Sequence, residues 1–256
     1  MENDIGFRLS GFREVSLVDT LKQLSGIGYD RVEVCLEHPD LSPLNPASVD
    51  GAGLRSLLER CHLKASAVSF HGKKSSWKEK ESISRSCLGM CAALGIEIVI
   101  IGSILGRTEA NFQAMADFTR ELCIEAKSRQ VLIAVEPEPE TVIHGRAEMD
   151  RLLETVAADN LKVNLDIGHA FLIEPDLTSD ILHWGGLIVH THIEDMKDDE
   201  HRHLLPGKGQ IDFSAVFQAF QKIEYEGCYT IDLFDITSDP LYYAREAYHR
   251  FREKVT

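Results

Sequence analysis

Four side chains close four apolar segments of this chain. They are Glu136 in Val-Leu-Ile-Ala-Val-Glu, Asp166 in Leu-Lys-Val-Asn-Leu-Asp, His192 in Leu-Ile-Val-His-Thr-His-Ile and Asp232 in Cys-Tyr-Thr-Ile-Asp. The gaps between them are 30, 26 and 40 residues, and one strand–helix unit takes roughly 30 residues. Each unit therefore delivers one polar side chain at the same height. Taken singly, each has a plainer use. An Asp or Glu at a strand end often caps the next helix, and a lone His there is more often a hydrogen-bonded wall residue than a ligand. Taken in register, three carboxylates and an imidazole form a site for one divalent cation. Such a ligand set favours Mn2+, Mg2+ or Co2+ and tolerates Zn2+. A cation on a carbonyl oxygen and its neighbouring hydroxyl lowers the cost of enediolate charge, and a carboxylate can then move the proton on carbon.

The elements that position these residues alternate from end to end. Short β-rich runs at 5–9, 31–36, 64–70, 96–101, 131–136, 161–166, 187–193 and 228–234 read as strands. Amphipathic stretches at 16–26, 48–62, 77–94, 108–129, 146–157, 176–184, 212–224 and 239–253 read as helices. Thr108 is placed as an N-cap, Gly28 and Gly95 follow helices, and Pro240 opens one. Strands apolar along their whole length imply a parallel sheet buried on both faces. Eight such units in 256 residues predict an α/β fold, a single (β/α)8 TIM barrel spanning residues 1–256. The working face of such a barrel is its C-terminal rim. Glu136 and Asp232, on the fifth and eighth strands, then face each other across the cation as a proton-moving pair.

Bulk composition excludes other classes. The formal net charge is −14, with 41 acidic and 27 basic residues, so no overall basic footprint for nucleic acid exists. No run approaches the ~18 apolar residues of a membrane span, and the first residues, Met-Glu-Asn-Asp-Ile-Gly-Phe, carry no secretion signal. Cys35, Cys61, Cys87, Cys91, Cys123 and Cys228 form no Cys-x-x-Cys pair. They read as packing residues in a reducing cytosol, so a cytoplasmic protein is expected. The oligomeric state is left open, a homo-oligomer included.

A second polar group stands near the first. His71 ends the third strand, Glu33 the second, and His169 follows Asp166 by three residues. His201 and His203 precede Pro206-Gly207-Lys208-Gly209 in 194–211, the longest polar stretch, which reads as a functional or disordered loop. His71, His169, His203 and Glu33 are candidates for orienting substrate hydroxyls, and the histidines can also take another cation. Glu138 and Glu140 read mainly as solvated loop charge, and Lys208 as either a loop-closing residue or a contact for an anion.

The segments Val-Glu-Pro-Glu-Pro, Leu-Asp-Ile-Gly-His-Ala, His-Thr-His-Ile-Glu-Asp-Met and His-Leu-Leu-Pro-Gly-Lys-Gly-Gln-Ile-Asp-Phe resemble the xylose-isomerase-like TIM-barrel superfamily. Within it the chain is similar to the sugar phosphate isomerase/epimerase group. Ketose 3-epimerases, inosose dehydratase, hydroxypyruvate isomerase and endonuclease IV are relatives. The resemblance implies a metal held at Glu136, Asp166, His192 and Asp232, with Glu136 and Asp232 as the acid–base pair and His169 on the substrate. Two positions depart from the pattern. Asp232 stands where Glu is usual, and His203 falls where the epimerases place a substrate-binding Arg.

The leading expectation is a metal-dependent isomerase or epimerase of a small sugar, sugar phosphate or polyol, working through an enediolate. An inosose-type dehydratase uses the same enolisation with loss of a hydroxyl. An endonuclease IV-like phosphodiesterase on abasic DNA is a further reading, but its second zinc-binding His after the fourth strand is replaced by Ile101-Gly102-Ser103, and His201 replaces an Asp ligand. A degenerate barrel that binds a sugar without turnover is the non-enzymatic alternative.

Overall fold

A computed structural model describes residues 3–174, 176–234 and 238–255. Seven strands follow in order: β1 (Ile5–Arg8), β2 (Arg31–Cys35), β3 (Lys64–Phe70), β4 (Ile98–Ile101), β5 (Leu132–Val135), β6 (Leu161–Asp166) and β7 (Ile188–Ile193). The chain then makes a small hairpin, β8 (Asp195–Lys197) and β9 (Glu200–Leu204), before the last barrel strand, β10 (Tyr229–Ile231). β1 pairs in parallel with β2 on one side and β10 on the other, which closes an eight-stranded barrel. The helices are α1 (Leu17–Ile27), α2 (Gly51–Arg60), α3 (Trp77–Leu94), α4 (Glu109–Lys127), α5 (Arg146–Val156), α6 (Ile167–Ile173), α7 (Leu177–Trp184), α8 (Phe213–Lys222) and α9 (Pro240–Val255). Each strand and helix read from the sequence has its counterpart, with ends shifted by up to three residues.

Local chemistry sets the helix ends. Ser16, Asp50, Ser76, Thr108, Asp166, Asp176 and Asp212 all cap helices through their side chains, satisfying a first-turn N–H that has no intrahelical partner. Gly28 and Gly95 take the left-handed conformation at the ends of α1 and α3. One face of the strands packs on the helices. Val34, Val99, Ile101, Ile133, Val135 and Val163 share one large apolar cluster with Leu21, Leu54, Leu88, Phe112, Leu152 and Phe251. Ala67, Ile100 and Ala134, from the opposite strand faces, form a separate small cluster. Ala134 precedes Glu136 by two residues, so small side chains lie on the face that Glu136 continues.

Two regions differ from the sequence reading. Helix α6 was not anticipated: it has only seven residues and is set by Asp166, whose carboxylate accepts the His169 N–H. The 194–211 stretch is built around a buried acid rather than forming an open loop. Asp195 accepts N–H bonds from Met196, Gly207, Gly209 and Ile211 at 2.7–3.1 Å. A Cβ on Gly209 would sit 2.1 Å from the Met196 carbonyl, so the Gly-Lys-Gly turn is a wrapping around that carboxylate. Lys208 is exposed and contributes only its backbone there. All six cysteines are free and buried. Among the described residues no helix is long and apolar enough to cross a membrane.

Gly102 marks where β4 ends beside β3. A Cβ there would lie 2.8 Å from the His71 Cα and 2.9 Å from its carbonyl oxygen. Backbone cannot rotate away as a side chain can. Gly102→Ala is therefore expected to cost about 1–3 kcal/mol of stability, as overpacking does. Denaturant titration checks this; an unchanged midpoint would contradict the close approach.

Candidate metal centre and cavity

Barrel register delivers the ligands. β6 and β7 pair with Asp166 opposite His192, and β7 and β10 pair with His192 opposite Thr230, two residues before Asp232. Glu136 follows the last residue of β5. All four candidate metal ligands are buried: Glu136 is 3%, Asp166 1%, His192 0% and Asp232 2% exposed. The His192 Nδ1 atom lies 3.0 Å from Glu136 Oε2, 3.7 Å from Asp166 Oδ2 and 4.0 Å from Asp232 Oδ2. Ligands about 2.1 Å from a common ion stand about 3 Å apart when adjacent and about 4.2 Å when opposite. The spacing fits a shared cation. So does Asp166 Oδ2, a buried carboxylate oxygen with no hydrogen-bond partner among the described residues.

The surrounding bonds fix orientation. His192 Nε2–H donates to Glu33 Oε2 at 2.7 Å, which turns the Nδ1 lone pair toward the carboxylates. Asn164 donates to Glu136 Oε2 at 2.6 Å and accepts from His190 Nδ1 at 2.8 Å. Arg8 donates from Nε to Glu33 (2.9 Å), from Nη1 to Asp232 Oδ2 (2.8 Å) and from Nη2 to His71 Nδ1 (2.5 Å). His71 must then carry its proton on Nε2, and it donates that proton to Glu136 Oε2 at 2.9 Å.

Burial works against every charge here, and the neighbours overrule it. Glu33 is held far below the carboxylate range: burial would raise it, but His192 and Arg8 outweigh that. Burial would likewise raise Glu136, which His71 and His192 pull well down. Asp232 is lowered by Arg8 and His203 against the same penalty. His192 is raised well above 6.5, burial notwithstanding, by Glu33 and Glu136. His169 rises to about 9 because Asp166 and Glu136 outweigh its burial. Its Nδ1 lies 3.3 Å from Glu136 Oε1 and its Nε2 2.9 Å from His201 Nε2. His201, desolvated and facing that imidazolium, drops to about 4 and is the acceptor of that bond. Glu194 is pushed well up by burial and then by Asp166.

A cavity of about 460 Å³ opens above these groups, within the size range of small-molecule sites. Arg8, His71, Glu136, His169, His203 and Asp232 line its buried part. Arg13, Lys73 and Lys74 stand at its exposed rim, and Leu36, Phe70, Ile83 and Phe234 form an apolar wall.

The sequence-derived residues thus meet at one place, with some roles redistributed. His71, His169 and His203 face the cavity. Glu33 does not: it is fully buried against His192 and Arg8, so its contact is with the ligand imidazole rather than with a bound molecule. Glu138 is not solvated loop charge. It is 3% exposed, lines the cavity and pairs with Lys73 Nζ at 2.5 Å. Glu140 is exposed, as expected. The sequence reading passed over Arg8, Asn164, His190, Glu194 and Lys73. Asn164 and His190 stand two residues before Asp166 and His192, so strand alternation pointed to both. Arg8 ends an apolar strand just as Glu136 does.

Because His192 holds a proton at neutral pH without metal and must surrender it to ligate, metal uptake is expected to release about one proton. Affinity then rises with pH through the neutral range. Calorimetry of Mn2+ binding in buffers of different ionisation enthalpy measures this; no release at pH 7 would contradict the ligand assignment. Glu33→Gln is expected to weaken Mn2+ about 10–100-fold, read by the same titration.

The chain is similar over 250 residues to inosose dehydratase of Lacticaseibacillus casei, at 22% identity, covering 84% of this chain and 81% of that protein. Its fold matches L-ribulose 3-epimerase with a TM-score of 0.81 at 21% identity, covering 99% of this chain and 95% of the other. It also matches the IOLI protein, whose structure holds a zinc atom, with a TM-score of 0.80 at 20% identity and 98% coverage of both chains. A model of the xylose isomerase-like TIM barrel family matches residues 21–254, and the chain belongs to that family.

Proposed function

We propose that this protein is a divalent-metal-dependent isomerase or epimerase of a small sugar or polyol, acting by proton transfer through an enediolate. The observation that carries the reading is the convergence of Glu136, Asp166 and Asp232 carboxylate oxygens on His192 Nδ1 beneath a 460 Å³ cavity. One ion would be held by Glu136, Asp166, His192 and Asp232, with Mn2+, Mg2+ or Co2+ favoured and Zn2+ tolerated. When bound, it supplies Lewis acidity at a substrate oxygen.

The chain's own residues divide the remaining work. Glu136 Oε2 is held by Asn164 and His71, while Oε1 lies toward His169 in the cavity. That oxygen is the group that takes a proton from carbon. His169, held protonated with its Nε2–H on His201, balances charge beside Glu136 and forms part of the cavity wall. His203, whose Nδ1 is fixed by the Asp232 carbonyl at 2.9 Å, presents the rest of its ring to the cavity. Phe70, Ile83 and Phe234 exclude water from one side.

A dehydratase is the second reading, favoured by the similarity to inosose dehydratase and by Asp232. Both Asp232 oxygens are engaged, Oδ1 by the Phe234 N–H at 3.1 Å and Oδ2 by Arg8, so its service as a second base is restricted. The phosphodiesterase reading has less support. Gly102 occupies the region after the fourth strand, and the His71 backbone leaves it no room for a side chain.

Elemental analysis is expected to give about one divalent ion per chain, lost in Asp166→Asn and His192→Ala with the fold retained. Retention in both would reject the reading. With a turned-over ketose, aldose or inosose, Glu136→Gln should lower kcat about 10²–10⁴-fold. NMR of products in D2O separates the two readings: isomerisation moves a carbonyl, and dehydration removes a hydroxyl.

A further inference from the structure

Arg8 is the buried cation at the heart of the site, and its hydrogen bonds are incompletely used. A guanidinium carries five N–H donors. Three are committed: Nε to Glu33 Oε1, one on Nη1 to Asp232 Oδ2, and one on Nη2 to His71 Nδ1. Among the described residues, one donor on each terminal nitrogen is left without a protein acceptor, in a side chain only 6% exposed. Buried donors are normally satisfied. Arg8 also lines the cavity, beside Glu136, His71 and Asp232, so a molecule in that cavity is within reach of the two remaining hydrogens.

Asp232 sharpens the point. Its Oδ1 accepts the Phe234 N–H and its Oδ2 accepts Arg8, so each oxygen already holds one donor, and ligation of a cation would engage the carboxylate further. We infer that Arg8 takes the place opposite Glu136 that a second base would fill, and that its two uncommitted N–H groups bind the oxyanion that develops on the substrate. A planar fork of donors suits a pair of adjacent oxygens, one carrying negative charge. The inference rests on the proton-transfer reading above. In that reaction the C–H bond breaks toward Glu136, its electron pair forms the carbon–carbon double bond, and the carbonyl oxygen takes the negative charge. Arg8 meets that charge without exchanging a proton. Glu136 then returns its proton to the former carbonyl carbon, while the proton of the adjacent hydroxyl passes to the first oxyanion. The carbonyl thus forms on the carbon that lost its hydrogen, and atoms and charge balance. Asp232 is reserved as a ligand whose orientation Arg8 maintains.

The test uses the Mn2+-loaded protein and glycolohydroxamate, a small planar mimic of an enediolate, with both affinities measured by calorimetry. Arg8→Gln is expected to weaken hydroxamate about 30-fold or more, the size of a lost charge-assisted hydrogen bond, while changing Mn2+ affinity less than tenfold. Arg8→Lys keeps the charge without the fork and should recover part of the loss. Hydroxamate binding to Arg8→Gln as tightly as to the unaltered protein overturns the inference. Parallel loss of Mn2+ and hydroxamate in both variants also overturns it, making Arg8 a structural residue. Unaltered protein that binds Mn2+ but no hydroxamate sinks this inference alone, whereas protein that binds no Mn2+ sinks the metal reading on which it stands.

Discussion

The constraint on which the upper half of this barrel depends is the burial of charge. Glu33, Glu136, Asp166 and Asp232 are each at most 3% exposed and all are held ionised. An isolated carboxylate out of water is far too costly to persist. The protein sets the Arg8 guanidinium and the His169 imidazolium against them. Four negative charges against two positive leave a deficit of two, with His192 neutral as a ligand. The divalent cation proposed above would close it. In its absence His192 takes up a proton and closes it halfway. Glu194, which would deepen the deficit when ionised, is pushed well up by its burial and by Asp166. The same charge count links the protonation of His192, the proposed metal uptake and the arrangement of the neighbouring side chains.

A parallel barrel suits this task because each strand delivers side chains at a fixed height. Asp166 and His192 are register partners, as are Asn164 and His190 two residues earlier. The lower pair orients the upper: His190 holds Asn164, and Asn164 holds Glu136. Positioning thus comes from strand interiors, which are stiffer than loops. Asp166 serves twice, one oxygen capping α6 and the other left for the centre. That explains why a strand-ending Asp is so easily read as a mere helix cap. Here it is one, and the cap is what aims its second oxygen. Asp195 plays the corresponding part below His203, gathering four backbone N–H groups so that the hairpin bearing His201 and His203 is rigid.

The fold was readable because continuous apolar strands alternate with amphipathic helices whose ends are chemically marked. The convergence of Glu136, Asp166, His192 and Asp232 was readable because polar residues end apolar runs. What escaped notice obeys the same physics through longer-range pairings. Glu138 sits in an acidic loop sequence that looks solvated, and only the approach of Lys73 from the loop after β3 makes its burial tolerable. Glu33 was expected to end its strand but lies in the middle of β2, and from there it meets the back of His192 instead of its lone pair. Helix α6 is too short for periodicity to register. Arg8 carried the same strand-end signal as Glu136. A search for anionic ligands does not select a cation, although four buried acids require one.

Asp232 is where chemistry and charge balance meet. The family resemblance implies a Glu there, and Asp withdraws the carboxylate by one methylene. In a packed interior such a retreat leaves space and an under-used lone pair unless something moves in. Arg8 reaches across from β1 to Asp232 and bonds Glu33 and His71 as well, spanning four strands of the barrel with one side chain. A shorter acid and a bridging Arg make one coherent arrangement: the acid no longer needs to reach substrate, and the cation stands on the substrate's side of it. On the mechanism proposed above, an Asp at this position with Arg8 beside it is not a decayed two-base site. A fixed positive charge would stand where a second proton carrier is otherwise needed, so that a proton is removed at one face of a carbon and the resulting anion held at the other.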